Sequence, residues 1–143
     1  MTIAIDRPAA IRRMYALLSQ GDVDGFGELV AEDFVEHQES PGFERTRDGV
    51  LQLFRAYLAA FPDMRMEPED VLQDGDNVVA RVRATGTHRG DFMGMPPSGR
   101  AIDVQLIDIM RIGEDGRAHE HWGVFDALGM LRQLGAIPGP GQT

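Results

Sequence analysis

Apolar residues recur at helical spacing through the first half of the chain and at strand alternation through the second. Ile11, Met14, Tyr15 and Leu18 fall on one face of a helix that opens at Pro8, behind Asp6, and ends at Gly21-Asp22. Asp22 can cap a shorter helix holding Val23, Phe26, Leu29 and Val30. Phe34-Val35-Glu36-His37 reads as a short extended piece, and Gln38 to Arg45, with Ser40, Pro41 and Gly42, as a loop. Thr46 is placed to cap a third helix, Arg47 to Phe61, with Val50, Leu53, Phe54, Tyr57, Leu58 and Phe61 as its stripe and Pro62 as its stop.

Beyond Pro62 the period changes to two. Met64 to Gln73 reads as a strand in which Pro68 marks an edge or a bulge. Asp74-Gly75-Asp76 is a turn into Asn77 to His88, whose inner row is Val78, Ala80, Val82, Ala84, Gly86 and His88. A Gly- and Pro-rich loop, Arg89 to Arg100, leads to Ala101–Ile112. Gly113 to Gly116 then turns the chain into a last strand, Arg117 to Phe125. Asp126 is placed to cap a short helix, Leu128 to Leu134, and residues 136–143 read as a flexible tail. Helices first and hairpins after predict an α+β fold of one domain over residues 1–143. A curved antiparallel sheet wrapped by the helices makes a cone with an apolar interior, a natural small-molecule pocket.

One strand departs from the simple pattern. In Ala101–Ile112 one face carries Ile102, Val104, Leu106, Asp108, Met110 and Ile112. A carboxylate in an apolar row is costly unless it is paired, and such groups cluster at functional sites. Asp108 is therefore the leading candidate for an acid or base. A catalytic carboxylate on an apolar face is a stability cost, so replacing it with leucine should raise the melting temperature, whereas a clear fall would mean structural partners for Asp108 and a site elsewhere.

Composition narrows the function. The 143 residues carry a net charge of −9 and no cysteine. The pI is near 4.8, which argues against a nucleic-acid or anionic-membrane partner. Without cysteine there is no thiol nucleophile or thiolate metal site. No HExxH, dinucleotide glycine motif or GxSxG elbow is present, so no metal or nucleotide site is expected. The N-terminal stretch is charged throughout and no run is long enough to span a membrane, which makes the cytoplasm the expected compartment.

The segments Gly86-Thr87-His88-Arg89-Gly90-Asp91-Phe92, Gly94-Met95-Pro96-Pro97-Ser98-Gly99-Arg100, Met110-Arg111-Ile112, Glu120-His121-Trp122 and Leu131-Arg132-Gln133-Leu134-Gly135 stand in an order that resembles the SnoaL-like proteins. These are the polyketide and ester cyclases of the NTF2-like superfamily. Gly21-Asp22, Asp33-Phe34-Val35 and Ala60-Phe61-Pro62-Asp63 extend the resemblance through the N-terminal half. It implies a cofactor-free enzyme with lyase- or isomerase-type acid/base chemistry on an apolar, oxygen-rich small molecule, working as a homodimer. In the polyketide cyclases an acidic residue on the last strand serves an intramolecular aldol closure, with a His on the strand before it. Here the acidic position falls near Gly123 and the His position near Asp108. That departure implies a carboxylate moved to the neighbouring strand, with His121 or His119 supplying the imidazole. Epoxide opening with ring closure then stands beside aldol closure. A hydrolase, hydroxylase or isomerase on the same fold, or a binding protein without chemistry, are the alternatives.

Asp108, His121 and His37 are the candidate catalytic residues, with His37 at the pocket mouth. Tyr15, Phe54 and Tyr57 lie on apolar helix faces, where a buried hydroxyl needs a partner and a substrate can be one. His88 closes the inner row of its strand beside the loop that holds Phe92, Met93 and Met95, a candidate pocket lid. His119 shares the strand alternation of His121, whereas Trp122 points the other way, towards the site or a dimer interface. Asp126 fits either a helix cap or a site residue, with the cap favoured by the Ala127-Leu128-Gly129 that follows.

Overall fold

The computed structural model describes residues 4–139 and 141. The element order is α1 (Arg7–Ser19), α2 (Val23–Glu28), β1 (Val30–Glu36), α3 (Arg47–Ala60), β2 (Arg65–Asp74), β3 (Asn77–Thr87), β4 (Ala101–Ile112), β5 (Ala118–Phe125) and α4 (Ala127–Gln133). The helix starts follow the expected caps. The side chains of Asp22, Thr46 and Asp126 accept from the backbone N–H of Gly25, Gly49 and Gly129 at 2.8, 3.2 and 2.8 Å. Asp126 is therefore a helix cap.

The strands form one curved, unclosed sheet in the order β1-β5-β4-β3-β2. β2 to β5 pair antiparallel, but β1 joins β5 in parallel. This parallel edge corrects the expectation of an antiparallel sheet. It also corrects the assignment of Val30 to α2. The Ala118 N–H reaches Leu29 O at 2.8 Å and Val30 pairs with Ala118, so β5 draws the chain out of the helix. Long-range pairing here overrides the local helical spacing. β2 lies at the opposite edge, and its register shifts between Pro68 and Asp70, where a missing N–H is tolerated.

Alternation along β3 and β4 separates an inner face from an outer one. Val78, Ala80, Val82, Ile102, Val104 and Ile112 are buried against α1 and its neighbours, whereas Ile107 and Ile109 are exposed on the outside. Ile11, Met14 and Leu18 of α1 are almost wholly buried on the inner side. Burial at about 25 cal/mol per Å² of apolar surface makes this face the main stabilising element.

After α4 the Ala136 N–H bonds to Leu131 O at 2.9 Å, and Arg132 Nε donates to Pro138 O at 3.3 Å. The described part of the expected tail is thus tied back to α4. Pro140, Gln142 and Thr143 lie outside the described residues, as do Met1, Thr2 and Ile3.

Candidate functional site

Four elements deliver polar side chains to one cavity between the inner sheet face and the helices. The register of β4 sets Asp108 between Ala80 of β3 and Gly123 of β5, two residues with little or no side chain. His121 lies two residues before Gly123 on β5 and pairs with Glu36 of the parallel edge strand. Tyr15 comes down from α1. The cavity, counted out to its open mouth, is about 1120 Å³. Its other walls include Phe34, Phe54, Tyr57, Leu106 and Phe125, with Gln38 and Ser40 adding polar groups.

The polar groups form a chain. Tyr15 donates its hydroxyl hydrogen to Asp108 Oδ2 at 2.6 Å. Asp108 Oδ1 lies 2.7 Å from His121 Nε2, and Glu36 Oε1 lies 2.6 Å from His121 Nδ1. The Gln38 N–H donates to the same Glu36 oxygen at 3.0 Å. Burial opposes a charge on His121, but its hydrogen bonds to Asp108 and Glu36 outweigh that and raise its pKa from 6.5 to about 10. Burial, and then the neighbouring Asp108 charge, push the Tyr15 hydroxyl well above its ordinary value, so it stays a phenol and a donor. Burial also raises Tyr57. The arrangement can hold one carboxylate as a base, with a phenol donor beside it and an imidazole behind it.

The expected residues divide. Asp108, His121, Tyr15, Phe54 and Tyr57 meet at this cavity. His37 does not. It lies on the outer side of the sheet edge, 2.8 Å from Glu120 Oε2 and stacked on Trp122 with ring centroids 4.7 Å apart. Trp122 belongs to the same outer face, with Ile107 and Ile109, and not to the cavity. His119 departs for another reason. Ile112 pairs with Ala118 and Arg111 with Glu120, so His119 is the extra residue of a bulge. It bonds instead to Asp115 at 3.0 Å, near the turn.

His88 is buried outside the cavity lining. Its Nδ1 meets Ser98 Oγ at 2.9 Å and the Ser98 N–H at 3.3 Å, and its ring lies 5.6 Å from that of Phe61. It anchors the loop. Phe92 packs on Tyr57 and Phe61 at 5.5 and 5.4 Å, and Met95 is partly buried against the core. These two support the cavity wall from behind. Met93 is 74% exposed with φ 50° and lies outside the lining of this cavity.

Glu36 was not among the expected site residues, nor were Gln38 and Ser40. Glu36 carried the same signal as Asp108, a carboxylate in the inner row after Phe34, but on a strand too short to make the row evident. Among the described residues no cluster of three His, Asp or Glu side chains is arranged to hold a metal ion. Nor is any helix among them long and apolar enough to cross a membrane.

Comparison with known proteins identifies the family. The family model described as SnoaL-like polyketide cyclase matches residues 9–134. Aklanonic acid methyl ester cyclase DnrD of Streptomyces peucetius is 30% identical over 131 residues, which span 87% of this chain and 88% of that one. Among solved structures, IdmH of Streptomyces antibioticus, a candidate polyketide cyclase, is 37% identical with a TM-score of 0.79, covering 92% of this chain and 99% of its own. AclR of Streptomyces galilaeus, a candidate hydroxylase, is 30% identical with a TM-score of 0.83, covering 94% and 83%. On its sequence and on its fold, the chain belongs to the SnoaL-like polyketide cyclases.

Proposed function

We propose that the protein is a cofactor-independent acid/base cyclase that closes a carbon ring in a polyketide-type ester. The observation that carries this reading is the Tyr15–Asp108 pair, 2.6 Å apart at the wall of an otherwise largely apolar cavity. Asp108 takes a proton from a carbon flanked by carbonyl groups. Tyr15 then donates to the enolate oxygen in place of Asp108. The enolate carbon attacks a second carbonyl of the same molecule, one C–C bond forms, and the resulting alkoxide recovers the proton from Asp108. Nothing is gained or lost, so product and substrate have the same mass. The cavity confines the flexible substrate so that its two ends meet.

Aklanonic acid methyl ester, named in the similar cyclase, is the first substrate to offer. The expected result is a product of unchanged mass and a new chromatographic position. Asp108→Asn should abolish it, and Tyr15→Phe should lower kcat by about 100-fold. Full activity in both variants would overturn the assignment. An epoxide-bearing substrate is the alternative for the same carboxylate.

The likeness to AclR supports a second reading, hydroxylation in the same cavity. Oxygen-18 from oxygen gas would enter the product of a hydroxylation and would be absent from that of a cyclisation. The homodimer implied by the resemblance would use the outer sheet face, where Ile107, Ile109, Trp122 and Val124 are exposed. Sedimentation of the wild type beside Trp122→Glu tests that association.

A further inference from the structure

We propose that Glu36 is a positioning residue that keeps His121 as an imidazolium, so that the ring serves the site as a fixed donor and Asp108 alone exchanges protons with substrate. The proposal rests on the acid/base reading above. Its basis is that both nitrogens of one imidazole lie against carboxylate oxygens, at 2.7 Å from Asp108 and 2.6 Å from Glu36. An ionised carboxylate only accepts, and a neutral imidazole has a single N–H. One ring therefore serves two ionised carboxylates only when both of its nitrogens carry hydrogen.

The local structure holds Glu36 in place for this. Its own N–H bonds to Arg45 O at 3.1 Å, its carboxylate takes the Gln38 N–H at 3.0 Å, and the parallel register sets it beside His121. The groups around the ring are few. β1 gives Glu36, β4 gives Asp108, and α1 gives Tyr15, which bonds to Asp108; the Tyr57 hydroxyl group belongs to α3. Among the described residues no lysine or arginine lines the cavity. Among the described residues His121 is then the one cation available to these two buried carboxylates, and a neutral ring would leave both without a countercharge.

This changes what His121 does. A histidine paired with one carboxylate titrates near neutrality and competes for the substrate's proton. A histidine fixed between two keeps its proton across the working range. It then holds Asp108 aimed from one oxygen, with Tyr15 on the other.

The test is a pH titration of the His121 ring by nitrogen-15 NMR in the wild type and in Glu36→Gln, with the pH profile of turnover on aklanonic acid methyl ester. The wild-type ring should stay doubly protonated past about pH 8, and the variant ring should lose a proton near neutrality. Turnover in the variant should fall by about 10-fold at high pH and approach the wild type near pH 6, with KM little changed. A wild-type His121 that titrates near its ordinary value would overturn the proposal. So would a variant whose activity is unchanged, or is reduced equally at every pH, as loss of packing would do. If Glu36→Gln does not fold, the wild-type titration decides alone. If the ester is not turned over, the cyclase reading fails for that substrate while the ring titration still judges the role of Glu36.

Discussion

Asp108 and Gly123 face each other across β4 and β5, and a Cβ placed on Gly123 would lie 2.8 Å from Asp108 Oδ1. It would also lie 2.8 Å from His121 Cε1 and 2.6 Å from Gln38 Oε1. The space that a side chain would fill at Gly123 is taken up by the carboxylate of the neighbouring strand. Gly123→Ala should therefore push Asp108 or His121 off its hydrogen bond. We expect kcat to fall by about 10-fold or more, with a stability loss of about 1–3 kcal/mol from overpacking. Turnover assays beside thermal melts check both. An unchanged kcat would mean that Gln38 alone gives way.

Asp108 itself is not the isolated charge that its apolar row suggests. Tyr15 and His121 both bond to it, which reverses the expectation that leucine there would stabilise the protein. Asp108→Leu leaves a buried hydroxyl and a buried N–H without partners, and breaking one side of a buried charged pair typically costs about 3–5 kcal/mol. Urea unfolding should show Asp108→Leu clearly less stable than wild type. Asp108→Asn, which preserves shape and some bonding, should lie between them, with turnover lost in both.

The sequence made some of this legible and hid the rest for identifiable reasons. The β4 strand and its carboxylate could be read because strand alternation is a local pattern, sustained over the whole of Ala101–Ile112. The caps at Asp22, Thr46 and Asp126 are equally local. Glu36 and His121 are 85 positions apart and meet only because β1 joins β5 in parallel, a pairing no turn announces. His37 directly follows Glu36, and one position along a strand is the difference between the outer and inner face. His119 was misplaced because alternation was carried through a bulge.

His37 gives a prediction opposite in sign to that for Asp108. Its partners are Glu120 and Trp122 on the outer face, so it has no route to the substrate. His37→Ala should keep kcat and KM within about twofold of wild type, since an exposed ion pair contributes little. A large loss of kcat with an intact fold would place the reacting groups on the other side of the sheet.

The pH dependence of stability offers a check that needs no substrate. The folded-state pKa of His121 is about 10, above its ordinary value of 6.5. The folded protein therefore binds this proton more tightly than the unfolded chain does. The stabilisation is fully present below about pH 6.5 and is lost as pH rises through about 10. Tyr15, also raised, shifts stability in the same direction but only above its own ordinary value of 10.0. Between these limits the loss belongs to His121. Urea unfolding measured at intervals from about pH 6.5 to 9.5 should show wild-type stability falling steadily, and His121→Gln should remove that slope. Parallel slopes in the two proteins would mean that the ring carries no extra proton in the folded state. The Glu36–His121–Asp108 cluster would then hold its hydrogen on a carboxyl group instead.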